Sequence, residues 1–310
     1  HSTYNGGDGP LILVDGVERS MAYINPNEVE SVTILKDAAS CAVYGMKAAA
    51  GVILVTTKRG TEGKTTINYK GSLTLSHATT LPEFMNGTHY MQWYNYARRM
   101  DGEKAYFTDE EIAMTTNGDP TDGFENTNWQ EPIYRTTLMH QHNLSISGGN
   151  EKTRYFLSGG FMKQNGFIKG FELERGNFRS HIDTQVTKDI SVSLNVAGKI
   201  NDYYQPGGDS YENQTTNNVV GVLLYAAPFV PLEYEGMPAS GYRGASNPDY
   251  AAGHSGYSKI RTMRLETSAK IEYSFPFLKG LKAGMFVGWD WQDRDSRSFK
   301  YSYDCLLYTS

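Results

Sequence analysis

Stretches in which apolar and polar residues alternate recur along most of this chain, and they constrain its fold more than any other feature. In Thr66–Ser76 the residues Ile67, Tyr69, Leu73 and Leu75 stand at odd positions, with polar residues between them. A period of two places the two sets on opposite faces of a β-strand. Similar segments follow, and we count seven strands, at 66–76, 143–147, 153–163, 178–186, 190–196, 263–275 and 281–292.

The connections between these strands alternate between short and longer. The short ones are 148–152, 188–189 and 276–280, and the longer ones are 77–135, 164–170 and 201–257. Outer-membrane barrels have short turns on one side and longer loops on the other. Several of the strands exceed about ten residues and carry aromatic residues near their ends, which suits tilted strands that span a bilayer. A soluble sandwich prefers strands of about five or six residues.

Composition excludes several other classes of protein. The chain has no run of eighteen apolar residues, so we expect no transmembrane helix. Its 29 basic and 34 acidic residues give a net charge of −5, which argues against a nucleic-acid partner. Cys41 and Cys305 are its two cysteines, which form neither a disulfide framework nor a metal-binding spacing.

The segment Leu11–Gly60 has a different pattern, with three short apolar runs at 11–14, 32–35 and 52–55. Each run is bounded by turn residues and predicts a buried strand. Asp37 and the alanines after it predict a helix over 37–44, closed by Gly45. Asn25-Pro26 predicts a second, very short helix. The result is a mixed α/β unit of about fifty residues, which is too small to be comfortably stable alone.

Five sequence blocks in this segment resemble the plug domain of SusC/RagA-type TonB-dependent outer-membrane transporters. The blocks are Val14–Val17 (VDGV), Ile24–Ser31 (INPNEVES), Leu35–Ala39 (LKDAA), Tyr44–Gly51 (YGMKAAAG) and Val52–Gly60 (VILVTTKRG). Cys41 and Met46 depart mildly from the family pattern. The resemblance continues through 128–135, 142–149 and 153–166, which are similar to early barrel strands, and beyond about Ala197 it is one of architecture alone.

The resemblance implies a small α/β plug followed by antiparallel transmembrane β-barrel strands, an incomplete barrel of about seven strands. We expect a plug at 1–60, truncated at its N-terminus, and the first part of the barrel at 61–303, with long extracellular loops at 77–135 and 201–257. Residues 304–310 are similar to translated sequencing-adapter read-through, so we expect a non-native tail there. His1-Ser2-Thr3 shows no signal peptide, and we expect the chain to be an internal fragment.

The resemblance also implies a function in the outer membrane. Such transporters import oligosaccharides, peptides or other large nutrients, with a SusD-like lipoprotein as lid and the TonB–ExbB–ExbD complex as the source of energy. Outer-membrane lipid would surround the barrel, and we expect no enzymatic activity. Two alternatives stay open: a TonB-linked receptor with a signalling role, and a surface β-rich glycan-binding protein.

Single residues give no catalytic constellation, and we expect no cofactor, metal or catalytic residue; substrate-binding residues stay unknown. His140 and His142 share one face of a strand and could chelate a metal, but no third ligand is evident, which favours a polar pair at the lumen or rim. Lys36-Asp37 could be an acid–base pair, but the role of Asp37 as cap of the predicted helix explains it better. Asp15-Gly16 fits a hairpin turn, and Asp249 and Tyr250 fit a turn after Asn247-Pro248.

Two further groups of residues have alternative roles. Arg264, Glu266, Lys270 and Glu272 would face a barrel lumen, where they either form salt bridges against the basic residues of the plug or contact substrate. We favour the salt bridges. Aromatic residues in the loops either stack on sugar rings or pack among themselves; they are Trp93, Tyr94, Tyr96, Trp129, Tyr203, Tyr204 and Tyr211.

Overall fold

A computed structural model describes residues 9–21, 24–37, 43–48, 50–118, 124–207, 219–240, 247–278, 280–301 and 306–307. A small sheet comes first. Its strands are β1 (Leu11–Val14), β2 (Val17–Glu18), β3 (Val29–Leu35) and β4 (Val52–Thr57). Their order is β2-β1-β4-β3, in which β1 and β4 run parallel and the other pairs are antiparallel. The three predicted strands are therefore present, and two of them are longer than expected.

Local chemistry explains the connections of the small sheet. Asp15 and Gly16 have φ angles of 50° and 88°, which makes the tight β1–β2 hairpin turn that the sequence predicts. The short helix after Asn25 is a 3₁₀ turn over Pro26–Glu28, capped by the Asn25 side chain. The predicted helix over 37–44 lies mostly outside the described residues.

The elements of the rest of the chain, in order, are β5 (Gly63–Ser76), α1 (Gly87–Met100), α2 (Asp109–Asn117), β6 (Thr137–Gly149), β7 (Thr153–Asn165), β8 (Glu172–Gln185), β9 (Ile190–Pro206), α3 (Val219–Tyr225), β10 (Glu233–Tyr234), β11 (Met237–Ser240), α4 (Pro248–Gly253), β12 (Gly256–Ser274), β13 (Lys282–Lys300) and β14 (Leu306–Leu307). A short ladder joins β10 to β11 and β11 to β14.

Seven of these strands form one large antiparallel sheet. Its order is β13-β12-β9-β8-β7-β6-β5, so each strand pairs with its neighbours among the long strands of the chain. The seven strands counted from the sequence are all present. The expected loop at 201–257 is corrected at both ends, because β9 continues to Pro206 and β12 begins at Gly256, paired along this length. The end of β9 was not recognised in the sequence because its tyrosines and polar residues give it the composition of a loop.

The two faces of the large sheet differ. Side chains at alternate positions, such as Ser158, Asn177 and Arg179, reach the small sheet, and we call theirs the inner face. On the opposite, outer face many side chains are apolar and exposed; Leu75, for example, is 71% exposed. The period of two in the sequence is thus the period that separates contact with the small sheet from the outer surface.

The two longest connections, 77–136 and 207–255, pack together, and we call them the loop unit. Met91, Phe107, Trp129, Val219 and Phe229 belong to a shared apolar core. The helix α2 begins with a capping box, in which Thr108 and Glu111 bond each other's backbone. Among the described residues, no helix has the length and apolar character needed to cross a membrane.

Candidate functional site: the polar interface between the two sheets

A buried carboxylate, Glu28, fixes the small sheet to the inner face of the large one. It follows Pro26 in the 3₁₀ turn and is 3% exposed. Its Oε2 lies 2.8 Å from Arg179 Nε, and its Oε1 accepts hydrogen bonds from Asn177 Nδ2 at 2.6 Å and Ser158 Oγ at 3.1 Å. Both carboxylate oxygens are therefore bound by donors from β7 and β8.

Asn25 joins the same contact from the other end of the turn. Its Oδ1 caps the turn through Asn27 N, and its Nδ2 donates to Asn143 Oδ1 at 2.8 Å and to Asn177 Oδ1 at 3.2 Å. Gly160 leaves the space for this amide cluster, because a Cβ there would lie 2.6 Å and 2.7 Å from the Asn177 and Asn143 oxygens. One side chain thus shapes the turn and binds two strands of the large sheet.

The hairpin turn of the small sheet makes a third contact. Asp15 accepts hydrogen bonds from Thr57 N at 3.0 Å and Thr57 Oγ1 at 2.6 Å, and Asn195 Nδ2 of β9 approaches Asp15 Oδ2 at 3.3 Å. Asn195 Oδ1 also accepts from Arg179 Nη1 at 3.2 Å. Asp15 therefore has a structural role beyond the turn, and a continuous path of hydrogen bonds connects it to Glu28.

Arg19, just after β2, makes a separate contact with β12 and β13. Its Nη2 lies 2.6 Å from Asp290 Oδ1, its Nε donates to Asp290 Oδ2 at 3.0 Å, and Glu266 Oε2 is 3.7 Å from Nε. The Arg19 side chain is 1% exposed. The expected salt bridge between Glu266 and a basic residue of the plug is confirmed, whereas Lys270 and Glu272 pair with each other at 3.0 Å.

The interface is held mainly by charged and amide side chains. Burying a charge is unfavourable unless it is paired and hydrogen-bonded, and removing one partner of a buried pair is destabilising because it leaves the other charge uncompensated. Groups of this kind, unlike apolar ones, are well solvated when they separate and reach water. The arrangement can hold the small sheet in one position without making it an inseparable part of the large sheet.

A cavity of about 550 Å³ lies beside this interface, near the short turns of the large sheet. The cavity is lined by Asp15 and Arg59 from the N-terminal segment that carries the small sheet, and by strand residues of the large sheet that include Arg154, Asp183 and Lys270. His181, Asp183 and Ser193 meet at its wall, but Ser193 Oγ donates to Asp183 at 2.5 Å, so its proton is not directed to His181. The cluster does not have the nucleophile-to-base order of a hydrolase triad.

The residues that the sequence singled out are largely elsewhere. His140 and His142 have the parity of Leu144 and lie on the outer face, where Tyr69 Oη is 2.6 Å from His142 Nδ1, so the lumen placement is wrong. Within the described part of the chain, no group of three or more possible metal ligands occurs. Asn247 caps α4, and Asp249 pairs with Lys169 at 2.7 Å.

The loop aromatics divide between packing and exposure. Trp129 is 5% exposed and donates from Nε1 to Ala227 O at 2.9 Å, so it belongs to the core of the loop unit. Trp93 and Tyr96 are more than half exposed, with ring centroids 5.5 Å apart. Lys259 Nζ lies 4.7 Å from the Tyr204 ring on the outer face. Tyr211 lies outside the described residues.

Sequence reasoning missed the residues that hold the interface. Asn25 was explained by the short helix, and Glu28, Arg179 and Asp290 were not singled out. Two signals were available in the sequence. Polar positions of the strands hold Asn143, Asn177, Arg179 and Asn195, and the plug-like motif INPNEVES holds a charged residue, Glu28. Alternation shows which face these residues occupy, but it cannot pair them across the interface.

Comparisons with known proteins agree with this architecture. The sequence-family model described as TonB-dependent Receptor Plug Domain matches residues 3–52. TonB-dependent receptor P3 of Formosa agariphila is 32% identical over 64% of this chain and 18% of its own length. TonB-dependent receptor SusC of Bacteroides thetaiotaomicron is 26% identical over 94% of this chain and 30% of its own length. The RagAB peptide importer in its open-open state superposes with a TM-score of 0.71 over 93% of this chain and 34% of that chain, at 20% identity.

The chain thus spans about a third or less of the length of these relatives. The large sheet corresponds to part of their barrel, and it is incomplete as a barrel, since β5 and β13 form its two edges. The small sheet corresponds to their plug, and we use that name for it below. The plug match, the SusC relative and the RagAB superposition together support a SusC/RagA-type TonB-dependent receptor fragment, and receptors of that type are proteins of the outer membrane.

Proposed function

We propose that the receptor containing this chain imports large nutrients, oligosaccharides or peptides, by moving its plug away from the barrel wall. The observation that carries the proposal is the polar interface, in which Glu28, Asn25 and Arg19 are held by side chains of five different strands rather than by an apolar core. We take residues 1–60 as the plug, 61–303 as the barrel segment and 304–310 as a non-native tail. The proposal includes no catalytic step.

The partners follow from the same reasoning. A large barrel needs a plug, and moving a plug that is held by buried ion pairs requires free energy. No nucleotide is available at the outer membrane, so we assign the energy to a TonB–ExbB–ExbD complex. By analogy with the SusC and RagAB relatives, a SusD-like lipoprotein would bind the oligosaccharide or peptide at the outer surface and cover the barrel.

Uptake by cells that express the complete gene tests this function. Fluorescently labelled oligosaccharides and peptides of several lengths would be supplied to matched strains with and without TonB. We expect import of at least one labelled class to depend on both the gene and TonB, while a small solute that enters through porins is taken up equally in all strains. Gene-dependent import that is unchanged after TonB deletion would overturn the proposal.

A further inference from the structure

The outer face of the large sheet changes abruptly in chemistry along its strands. On β9 the outward residues from Ile190 to Ile200 carry no charge, and the next outward residue is Asp202. On β12, read in the opposite direction, they are uncharged from Tyr273 to Met263 and then come Arg261 and Lys259. Parity assigns these residues to the outer face. Asn195 of β9 and Glu266 of β12 contact the plug, and each of the outward residues lies an odd number of positions from the one on its own strand.

The change occurs at directly paired positions of the two strands. Ile190 pairs with Tyr273 and Ile200 with Met263, so the uncharged stretches of β9 and β12 begin and end together. Ten residue steps of about 3.3 Å give about 33 Å along a strand, which a tilt of about 40° reduces to about 25 Å across the membrane. That is the height of the lipid-facing band of an outer-membrane barrel. We call this stretch the apolar band.

A row of charged side chains stands just beyond the band, on the side of the loop unit. Neighbouring strands place Lys163, Glu174, Asp202, Arg261 and Asp295 at successive paired positions. The next row adds Glu172, Lys259 and Arg297. We call these eight residues the charged belt. All lie at odd separations from inner-face residues of their own strands, so they point away from the plug.

The charges of the belt neutralise one another. Lys163 Nζ lies 2.7 Å from Glu172 and 2.8 Å from Glu174, and Asp202 contacts Arg261 at 2.6 Å and Lys259 at 3.3 Å. Arg297 pairs with Asp295 at 2.8 Å. The eight residues of the belt, four basic and four acidic, have no net charge among themselves; Asp293 of β13, which pairs with Met263, is a further outward carboxylate one row nearer the band. Charged side chains facing lipid are unfavourable in the hydrocarbon and tolerated near its edge.

We propose that the outer boundary of the bilayer hydrocarbon crosses the sheet between Ile200 and Asp202 on β9 and between Met263 and Arg261 on β12. The apolar band then contacts acyl chains, and the charged belt contacts the polar headgroups of the outer leaflet. Because the belt is self-neutralised, it needs no lipid phosphate for charge balance, and the boundary does not depend on headgroup charge. This inference concerns lipid contact and is independent of the cargo.

Nitroxide labels on β9 test the boundary. Single cysteines would replace Val192, Val196, Ile200, Asp202 and Tyr204, one at a time, in the complete receptor with its native cysteines, Cys41 among them, replaced by serine. Collision with oxygen, which concentrates in hydrocarbon, is compared with collision with a water-soluble nickel chelate. We expect the logarithm of the ratio to change sign between Ile200 and Asp202. Labels at Met263 and Lys259 on β12 are the paired control and should give the same two signs.

The lipid composition separates the two parts of the proposal. The same series would be measured in bilayers of phosphatidylcholine and of phosphatidylcholine with phosphatidylglycerol, with the boundary expected at the same residues in both. A sign change at any other step of β9, or oxygen-dominated signals at Tyr204 and Lys259, would overturn the proposed boundary. A boundary that moves when anionic lipid is added would overturn the self-neutralised belt.

A pair of arginine substitutions tests the boundary without labels. Val196→Arg places a charge in the middle of the apolar band, and Tyr204→Arg places the same charge in the belt. We expect a clear loss of folded, membrane-inserted receptor for Val196→Arg and little loss for Tyr204→Arg. Equal yields of the two variants would contradict the assignment.

Discussion

The loop unit and the plug–wall interface both exclude water, but they do so with different side chains. The core of the loop unit contains Met91, Ile133 and Phe229, each with no exposed surface. The plug meets the wall through Glu28, Arg19 and several amides. An apolar core is most stable when it stays closed, whereas charged and amide groups regain hydrogen bonds from water when they separate. The comparison fits the proposed function, in which the loop unit stays folded while the contact between plug and wall can separate.

The largest effect is expected from breaking the loop unit. Phe229→Ala removes a fully buried ring that contacts Tyr90 and Phe107, and it should destabilise the loop unit by about 3–5 kcal/mol. Hydrogen exchange of the complete receptor should show faster exchange of amides in α1 and α3. The plug strands β1 and β4 serve as the internal control. Faster exchange there as well would show that the two regions are one cooperative unit.

A smaller effect is expected at the plug–wall contact. Glu28→Gln keeps the shape of the side chain but removes the charge that Arg179 binds, so the local stability of the plug should fall by about 1.5–3 kcal/mol. Exchange of β3 and β4 amides measures it. The cycle with Arg179→Met is the control: loss of both partners should cost less than the sum of the two single losses. Additive losses would mean that the pair does not couple plug and wall.

Asn25 both caps the 3₁₀ turn and contacts the wall. Asn25→Ala should lower the local stability of the plug by about 0.5–2 kcal/mol, the usual range for a lost cap. Asn143→Ala removes the nearer of the two wall partners of Asn25 and leaves the cap in place, so it is the matched variant. If the contact with the wall matters, both variants should increase exchange in β3. An effect confined to Asn25→Ala would assign the residue to the turn alone.

No measurable effect is expected at an exposed pair of the plug. Lys47 and Glu18 lie 2.8 Å apart, but their side chains are 72% and 59% exposed. Surface pairs contribute little to stability because water and salt screen them. Lys47→Ala should therefore leave plug exchange unchanged, and a loss as large as that of Glu28→Gln would show that burial does not determine which pairs hold the plug.

The sequence was sufficient for the architecture and insufficient for the contacts. Alternation with a period of two identifies the strands and the inner and outer positions on each, because it depends only on neighbours within a strand. Glu28 and Arg179 are 151 residues apart, so their meeting depends on how one sheet is placed on the other. The same holds for Trp129, which was a candidate for stacking on sugars until its burial against 207–255 was known. The capping box at Thr108 was predictable because it is local.

A reversible cross-link between plug and wall tests whether import requires the plug to separate from the large sheet. Asn25→Cys with Asn143→Cys would be joined by a short bis-methanethiosulfonate reagent in cells expressing the complete receptor. The matched control joins Asn143→Cys to Asn177→Cys, which lie in the wall on either side of Asn25. We predict that the first cross-link stops import of the labelled cargo, that reductant restores it, and that the control cross-link leaves it unchanged. Import that continues with the plug cross-linked to the wall would contradict the account.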